Sequence, residues 1–304
     1  MRVAVVDIGT NSTRLLVADV ADGHVREVAR RSTVTRLGRG VDISGQLSTE
    51  AVEDVCGVIG EYISLYRDLD AERVTAIATS AVRDASNSAV FLAELRERFA
   101  LDARILGGAE EARLTYFGAL AERRHGERTL VVDIGGGSTE LVLGNGDDVN
   151  FFASLQAGTV RHSERHLTRD PPDAAQLEDL AADVRHLIGD SLEGAVLADA
   201  NEGVAVAGTP TSLAAIDQEL DPYDPERVHG YVLSLESIQR MCSELASMPL
   251  AERLRVKGLH PGRAPTIVAG VVILIQVMRA FGLGEVEVSE HDILWGAALD
   301  AAHG

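Results

Sequence analysis

Asp133-Ile134-Gly135-Gly136-Gly137-Ser138-Thr139-Glu140 is the stretch on which the reading of this chain turns. It follows the apolar run Leu130-Val131-Val132 and leads into Leu141-Val142-Leu143. That pattern predicts a strand, a tight glycine turn and a second strand. Three consecutive glycines let the backbone approach a ligand closely, because no Cβ intervenes. Successive backbone N–H groups in such a turn form an anion site. Asp133, at the strand end, adds a carboxylate suited to a metal ion or its bound water. The stretch is not a Walker loop, which needs a lysine and a following helix.

The stretch occurs twice. Val5-Val6-Asp7-Ile8-Gly9-Thr10-Asn11-Ser12-Thr13-Arg14-Leu15 overlays Val131 to Leu141 at a shift of 126 residues, matching at Val, Val, Asp, Ile, Gly, Ser, Thr and Leu. Two copies, each after a β-type apolar run, predict a duplicated domain with two phosphate loops facing one cleft. The plainer alternative is two unrelated hairpins.

Asp7 to Ser12 together with Asp133 to Ser138 resembles the actin/Hsp70/sugar-kinase superfamily. Within it, the chain resembles the exopolyphosphatase / guanosine pentaphosphate phosphohydrolase family. Thr79-Ser80-Ala81-Val82-Arg83, Gly107-Gly108-Ala109-Glu110-Glu111-Ala112-Arg113 and Pro261-Gly262-Arg263 carry the narrower match, in the family's order and across nearly the whole chain. The resemblance implies an α/β fold of two ribonuclease-H-like domains with an interdomain cleft. The charged run from Arg123 to Arg128 marks the expected boundary, giving domains 1–126 and 127–304.

The 304 residues suit two domains, and 46% hydrophobic content suffices for two cores. Cys56 and Cys242 lie far apart in apolar, helix-like settings and read as buried free thiols. No signal peptide is evident, and Ile267 to Met278 is too short to span a bilayer. A cytoplasmic protein without a membrane partner is expected. The net charge of −19 argues against nucleic-acid binding. A polyanionic substrate remains compatible with it, through backbone N–H groups, helix N-termini, a few arginines and a divalent cation. Basic groups are then expected in the cleft and acid on the outer surface.

Residues 3–8 and 13–20 predict a hairpin and Val25 to Arg30 a third strand, followed by a loop from Arg31 to Gly45. A helix to about Leu69, the strand Val74 to Ala78, a helix to Phe99 and the strand Ala103 to Leu106 follow. Arg83 comes in the loop after a strand end, where open α/β sheets bind ligands. That position suits a phosphate ligand or a solvated arginine; the resemblance implies the former. Glu110 and Glu111 open the next helix, ordinary chemistry for a first turn. The resemblance makes Glu111 the general base and leaves Glu110 to the helix terminus. Glu140 could hold a metal-bound water or face solvent. His162 and His166 share a helix face, but without an evident third ligand they read as surface residues. Gly208-Thr209, between a buried strand and a helix, forms a third anion-friendly turn. Helices are also expected at about 174–191, 235–248, 264–281 and 293–302.

The expected reaction is hydrolytic removal of the terminal phosphate from inorganic polyphosphate. Gly9, Thr10, Asn11 and Ser12, with Gly135, Gly136, Gly137 and Ser138, would hold successive phosphates, helped by Gly208 and Thr209. Arg83 would bind the terminal phosphate and Glu111 would activate water. Asp133, with Asp7 and Glu140, would hold Mg2+. The alternatives are the same chemistry on guanosine pentaphosphate, a superfamily kinase, and a non-catalytic polyphosphate or nucleotide sensor. A homodimer through the 255–282 region is a further implication of the resemblance. One departure stands out: where many family members carry Leu-Arg-Glu-Gly, this chain has Ile293-Leu294-Trp295-Gly296. The extra helical C-terminal region of longer members is also absent, which predicts a preference for short chains.

Overall fold

The computed structural model describes residues 1–121, 123, 127–146, 148–192 and 200–303. The chain divides into two compact units, Met1–Arg123 with Asp292–Gly304, and Arg124–His291. Residues 124–126 of the expected boundary lie outside the described residues.

The first unit contains β1 (Arg2–Ile8), β2 (Ser12–Ala21), β3 (His24–Val34), α1 (Val41–Ser44), α2 (Thr49–Asp68), β4 (Arg73–Ala78), α3 (Ser80–Asp84), α4 (Ser88–Phe99), β5 (Ala103–Ile105) and α5 (Gly108–Leu120). Its sheet order is β3-β2-β1-β4-β5. β1 pairs antiparallel with β2 and parallel with β4. Successive side chains of a strand point to opposite faces. Ala4, Val6 and Ile8 therefore pack in the core with α2 residues such as Val55 and Ile59, while Val3 and Val5 face the other side. A strand covered on both faces reads as a continuous apolar run, which is why β1 shows no alternation.

The second unit contains β6 (Thr129–Ile134), β7 (Thr139–Asn145), β8 (Asp148–Leu155), α6 (Thr159–His166), α7 (Ala174–Ser191), β9 (Glu202–Val206), α8 (Gly208–Asp217), α9 (Pro225–Val228), β10 (Val232–Ser234), α10 (Leu235–Ser247), α11 (Leu250–Arg253), α12 (Ile267–Ala280) and β11 (Glu285–Val288). Its sheet order is β10-β11-β9-β6-β7-β8. β6 is antiparallel to β7 and parallel to β9, the pairing β1 makes with β2 and β4. The duplicated sequence thus corresponds to duplicated topology, two mixed sheets of the ribonuclease-H-like type. α7 begins at a capping box between Asp173 and Gln176, which satisfies two otherwise orphaned donors.

The last helix, α13 (Ile293–His303), differs from the expected partition. It belongs to the first unit, so residues 292–304 do not complete the second domain. Ile293, Leu294, Trp295, Ala297 and Ala298 cover Val3, Val5, Leu16 and Ala18, the sheet face that α2 leaves open. Leu294 and Trp295, where the family pattern has Arg and Glu, are core residues, and the Arg30 guanidinium lies 5.5 Å from the centre of the Trp295 ring.

Smaller differences have local causes. β3 runs on to Val34 because the whole polar edge keeps its ladder with β2. Arg83 sits in the one-turn helix α3 rather than in a loop. Cys242 is half-buried, unlike Cys56, and both thiols are free. Every residue from Ile267 to Met278 is buried, so this part of α12 offers no face to a dimer partner. Among the described residues no helix is long and apolar enough to cross a membrane.

α5 and α13 cross on two glycines. A Cβ on Gly118 would run into the Asp292 carbonyl, and one on Gly296 into the Leu114 carbonyl. Backbone cannot yield as a flexible side chain does, and overpacking of this kind costs about 1–3 kcal/mol. Gly296→Ala should therefore lower the stability measured by denaturant unfolding. Gly57→Ala is the control. It lies within α2 with open space around its Cα, and alanine there should stabilise by about 0.5–1 kcal/mol.

Candidate active site

Each repeat closes on one backbone hydrogen bond. The Gly9 N–H donates to the Ser12 carbonyl at 3.1 Å, and the Gly135 N–H to the Ser138 carbonyl at 3.0 Å. A Cβ on Gly9 would lie 2.8 Å from the Ser12 oxygen, and one on Gly135 3.1 Å from the Ser138 oxygen. The turn therefore requires its first glycine.

The loop carbonyls are tied into the protein. Thr10 O accepts from Gly38 N at 2.8 Å, and Asn11 O from Thr35 N at 3.1 Å and Arg36 N at 3.0 Å. In the second loop Gly135 O accepts from Thr159 N at 2.9 Å and Gly136 O from Val160 N at 2.8 Å. Gly137 O accepts from Arg161 Nε at 2.8 Å. These donors come from the first turn of α6, which packs so closely that a Cβ on Gly158 would collide with Gly136 and Gly137. Among the described residues, the amides of Thr10, Asn11, Gly136 and Gly137 have no protein acceptor. Anchored carbonyls with unpartnered amides are what an anion cradle requires.

Register sets the carboxylates. Asp7 is the cross-strand partner of Arg14, and Asp133 the partner of Glu140. Directly opposed residues of an antiparallel pair project from the same face. In the first repeat the pair neutralises itself: Arg14 Nε donates to Asp7 Oδ2 at 2.8 Å. Arg14 also pairs with Asp292, which caps α13 by accepting from Leu294 N at 3.0 Å. Burial lifts the Asp7 carboxyl above its ordinary range while Arg14 pulls it down and Asp292 pushes it up. Asp7 Oδ1 is buried without a hydrogen-bond partner among the described residues. In the second repeat the position of Arg14 is taken by an acid. Asp133 is 7% exposed and Glu140 1% exposed, with Glu140 accepting from Ser154 Oγ at 2.8 Å. Glu140 is thus no solvent-facing strand residue. Two buried carboxylates on one face fit a hard divalent cation, which takes oxygen ligands. The Asp7 site, already neutralised, fits one less well.

Arg83 and Glu111 meet. Arg83 Nη1 donates to Glu111 Oε2 at 2.7 Å and to Leu106 O at 2.9 Å. Its Nη2 is buried with no partner among the described residues. Glu111 faces inward from the first turn of α5, whereas Glu110 pairs with Arg104 at the surface. Burial raises the Glu111 pKa, and the Arg83 hydrogen bond and charge oppose that rise. The result is a carboxylate more basic than usual beside a guanidinium with a spare donor.

Gly208 and Thr209 open α8, after Ala207 at φ 71° and ψ −165°. Arg263 closes this turn, with Nη1 donating to Gly208 O at 2.8 Å and to Thr211 Oγ1 and Ser212 Oγ at 3.2 Å. The sequence singled out Pro261-Gly262-Arg263 as a motif but gave the arginine no role. Arg14 and Asp292 went unassigned as well. For Arg14 a signal existed: the repeat overlay places a base on an acid at this one position. His162, read as a surface residue, is fully buried, and Asp183 of α7 lies 3.4 Å from its Nε2.

Two ribonuclease-H-like units, each built around an Asp-x-Gly turn, define a phosphate-handling protein of the actin/Hsp70 type. A profile of the Ppx/GppA phosphatase family matches residues 16–300, and the chain belongs to that family. It is 37% identical over 315 residues to Exopolyphosphatase 2 of Mycobacterium tuberculosis, covering 99% of this chain and 98% of that one. A solved exopolyphosphatase-like protein superposes with a TM-score of 0.94 at 34% identity, covering 98% of this chain and 97% of that one. The Ppx/GppA family member of Aquifex aeolicus superposes with a TM-score of 0.84 at 30% identity, covering 100% and 98%.

Arg14 lies between two buried carboxylates, so Arg14→Ala should destabilise the protein by about 3 kcal/mol. The sign of its pH dependence follows from Asp7. A raised carboxyl pKa means the fold prefers the protonated acid, so ionisation costs stability as pH rises through that range. Arg14 offsets this cost. The deficit of the variant, measured by thermal or denaturant unfolding, should be largest at neutral pH and shrink as acid protonates Asp7. A deficit independent of pH would show that Arg14 acts by packing alone.

Proposed function

We propose that this chain is an exopolyphosphatase, which hydrolyses the terminal phosphate from inorganic polyphosphate with Mg2+. The observation that carries the proposal is the pairing of buried Glu111 with Arg83, next to a donor that no group among the described residues uses. Full-length similarity to an exopolyphosphatase supports it.

Within the first unit the amides of Thr10 and Asn11, and within the second those of Gly136 and Gly137, are donors for anionic phosphate oxygens that need no reorganisation at the moment of reaction. Arg83 Nη2 binds the terminal phosphoryl group, while Nη1 keeps Glu111 oriented. Glu111 takes a proton from the attacking water. The water oxygen bonds to phosphorus as the bridging P–O bond breaks, and the shortened chain leaves with the electron pair. Raising the base toward neutral pH favours this role, because proton transfer works best near the operating pH. Asp133 and Glu140 would hold the divalent cation, which when bound supplies positive charge against the charge developing on the phosphate oxygens. Gly208 and Thr209 add donors at the start of α8.

Glu111→Gln keeps the shape and an acceptor for Arg83 but cannot take the proton. Phosphate release from polyphosphate should fall by about 10²–10⁴-fold with the melting temperature little changed. Turnover near that of the unmodified chain would sink the assignment. The base must be ionised to work, so the rate should fall as pH drops through a pKa above the usual 4.5 of a glutamate. That acid limb should vanish in the residual activity of the variant. Asp133→Asn and Glu140→Gln should each raise the Mg2+ concentration needed for half-maximal rate, and Asp7→Asn should do so less. The reverse order would move the cation to the first loop.

A further inference from the structure

We propose that His162 and His166 on α6, with Asp183 on α7, form a binding site for one zinc-like transition-metal ion. The site lies within the second unit and is independent of the carboxylates assigned to Mg2+. Their ligand atoms lie within 4.8 Å of one another. His162 Nε2 is 3.4 Å from Asp183 Oδ2, and His166 Nε2 is 2.9 Å from the same oxygen. Donors around a tetrahedral zinc at a bond length of ~2.0–2.1 Å stand ~3.3 Å apart. The separations are those that small side-chain shifts bring to a common metal.

His162 makes the case. It is 0% exposed, and neither ring nitrogen has a hydrogen-bond partner among the described residues. A buried polar group left without a partner costs about 1–3 kcal/mol, and a core position would more cheaply carry leucine. His162 Nε2 lies near the Asp183 carboxylate and out of line for a hydrogen bond with it. A metal ion uses a lone pair where a hydrogen bond needs alignment. Burial pushes the His162 pKa down to about 4, so the ring is neutral at neutral pH and its lone pair is available.

The helices supply the rest. Spacing of four residues on α6 places both rings on one face, with their centres 5.5 Å apart. Arg165 Nη1 donates to Asp183 Oδ2 at 3.3 Å; its side chain is 40% exposed and can turn outward when a cation takes the carboxylate. Two neutral imidazoles and one carboxylate leave a divalent ion one net positive charge and a fourth position for water. Imidazole donors select zinc-like ions over Mg2+, which keeps to oxygen. The first turn of α6 holds the Gly135–Gly137 loop, so an ion at its other end would pin to α7 the helix that carries that loop.

The test is zinc binding by the full chain, free of any histidine tag, in zinc-buffered solution with excess Mg2+. Metal content after dialysis is read by elemental analysis, together with the melting temperature. About one zinc per chain and a higher melting temperature are expected. Asp183→Asn and His166→Gln, at partly exposed positions that should not endanger folding, should weaken zinc binding by more than about tenfold. His162→Leu should abolish the zinc-dependent rise in melting temperature while leaving the metal-free protein at least as stable. Substoichiometric zinc in the unmodified chain, or equal zinc in the variants, would overturn the proposal. Neither outcome touches the exopolyphosphatase reading, because the readout is metal content and not turnover.

Discussion

One backbone hydrogen bond, from the first glycine of each loop to the carbonyl three residues on, sets the geometry from which the rest follows. It closes the turn between two antiparallel strands and thereby fixes their register. Register decides which side chains stand opposite each other at the loop's base. A slip of one residue would turn each of these side chains to the other face. The same bond turns the carbonyls of the loop toward neighbouring backbone and leaves the next amides without protein acceptors. The phosphate-binding role proposed for these loops therefore rests on the main chain, which is compatible with a chain of net charge −19.

Among the strand residues of the overlay, the two copies differ at one position, Arg14 against Glu140. Arginine opposite Asp7 makes the first repeat a neutral, self-contained pair, and Asp292 extends it to the cap of α13. Glutamate opposite Asp133 makes the second repeat doubly acidic in buried surroundings. Duplicated topology has thus given one ion pair in the first repeat and one pair of opposed acids in the second. Arg83 with Glu111 shows the same economy. The guanidinium that holds Glu111 also tempers its basicity, and burial restores it.

Much of this was legible in the residues. The repeated Asp-Ile-Gly turn gave both hairpins, because glycine requirements and flanking β-branched runs are local properties. Glu111 and Arg83 were picked out by motif, but their contact was not visible, since it joins two short helices 28 residues apart in sequence. The return of α13 to the first unit was also hidden. An apolar helix states that it is buried, not against which sheet, and here the deciding facts are the uncovered face of β1 and the glycine crossing with α5. His162 was misread for a related reason. A polar residue on a short helix looks solvent-facing until α7 and α12 cover it, and Asp183 lies too far along the chain to be noticed as its neighbour. In each case what the sequence withheld was a long-range packing choice.

The account stands most directly on the initial rate of phosphate release with Mg2+ from short polyphosphate, long polyphosphate and guanosine pentaphosphate at equal concentration. It predicts faster release from polyphosphate, short or long, than from guanosine pentaphosphate. Faster release from guanosine pentaphosphate would contradict the substrate assignment and move the same chemistry to the nucleotide. No release from any of the three would contradict the hydrolase itself, and with it the role given to Glu111.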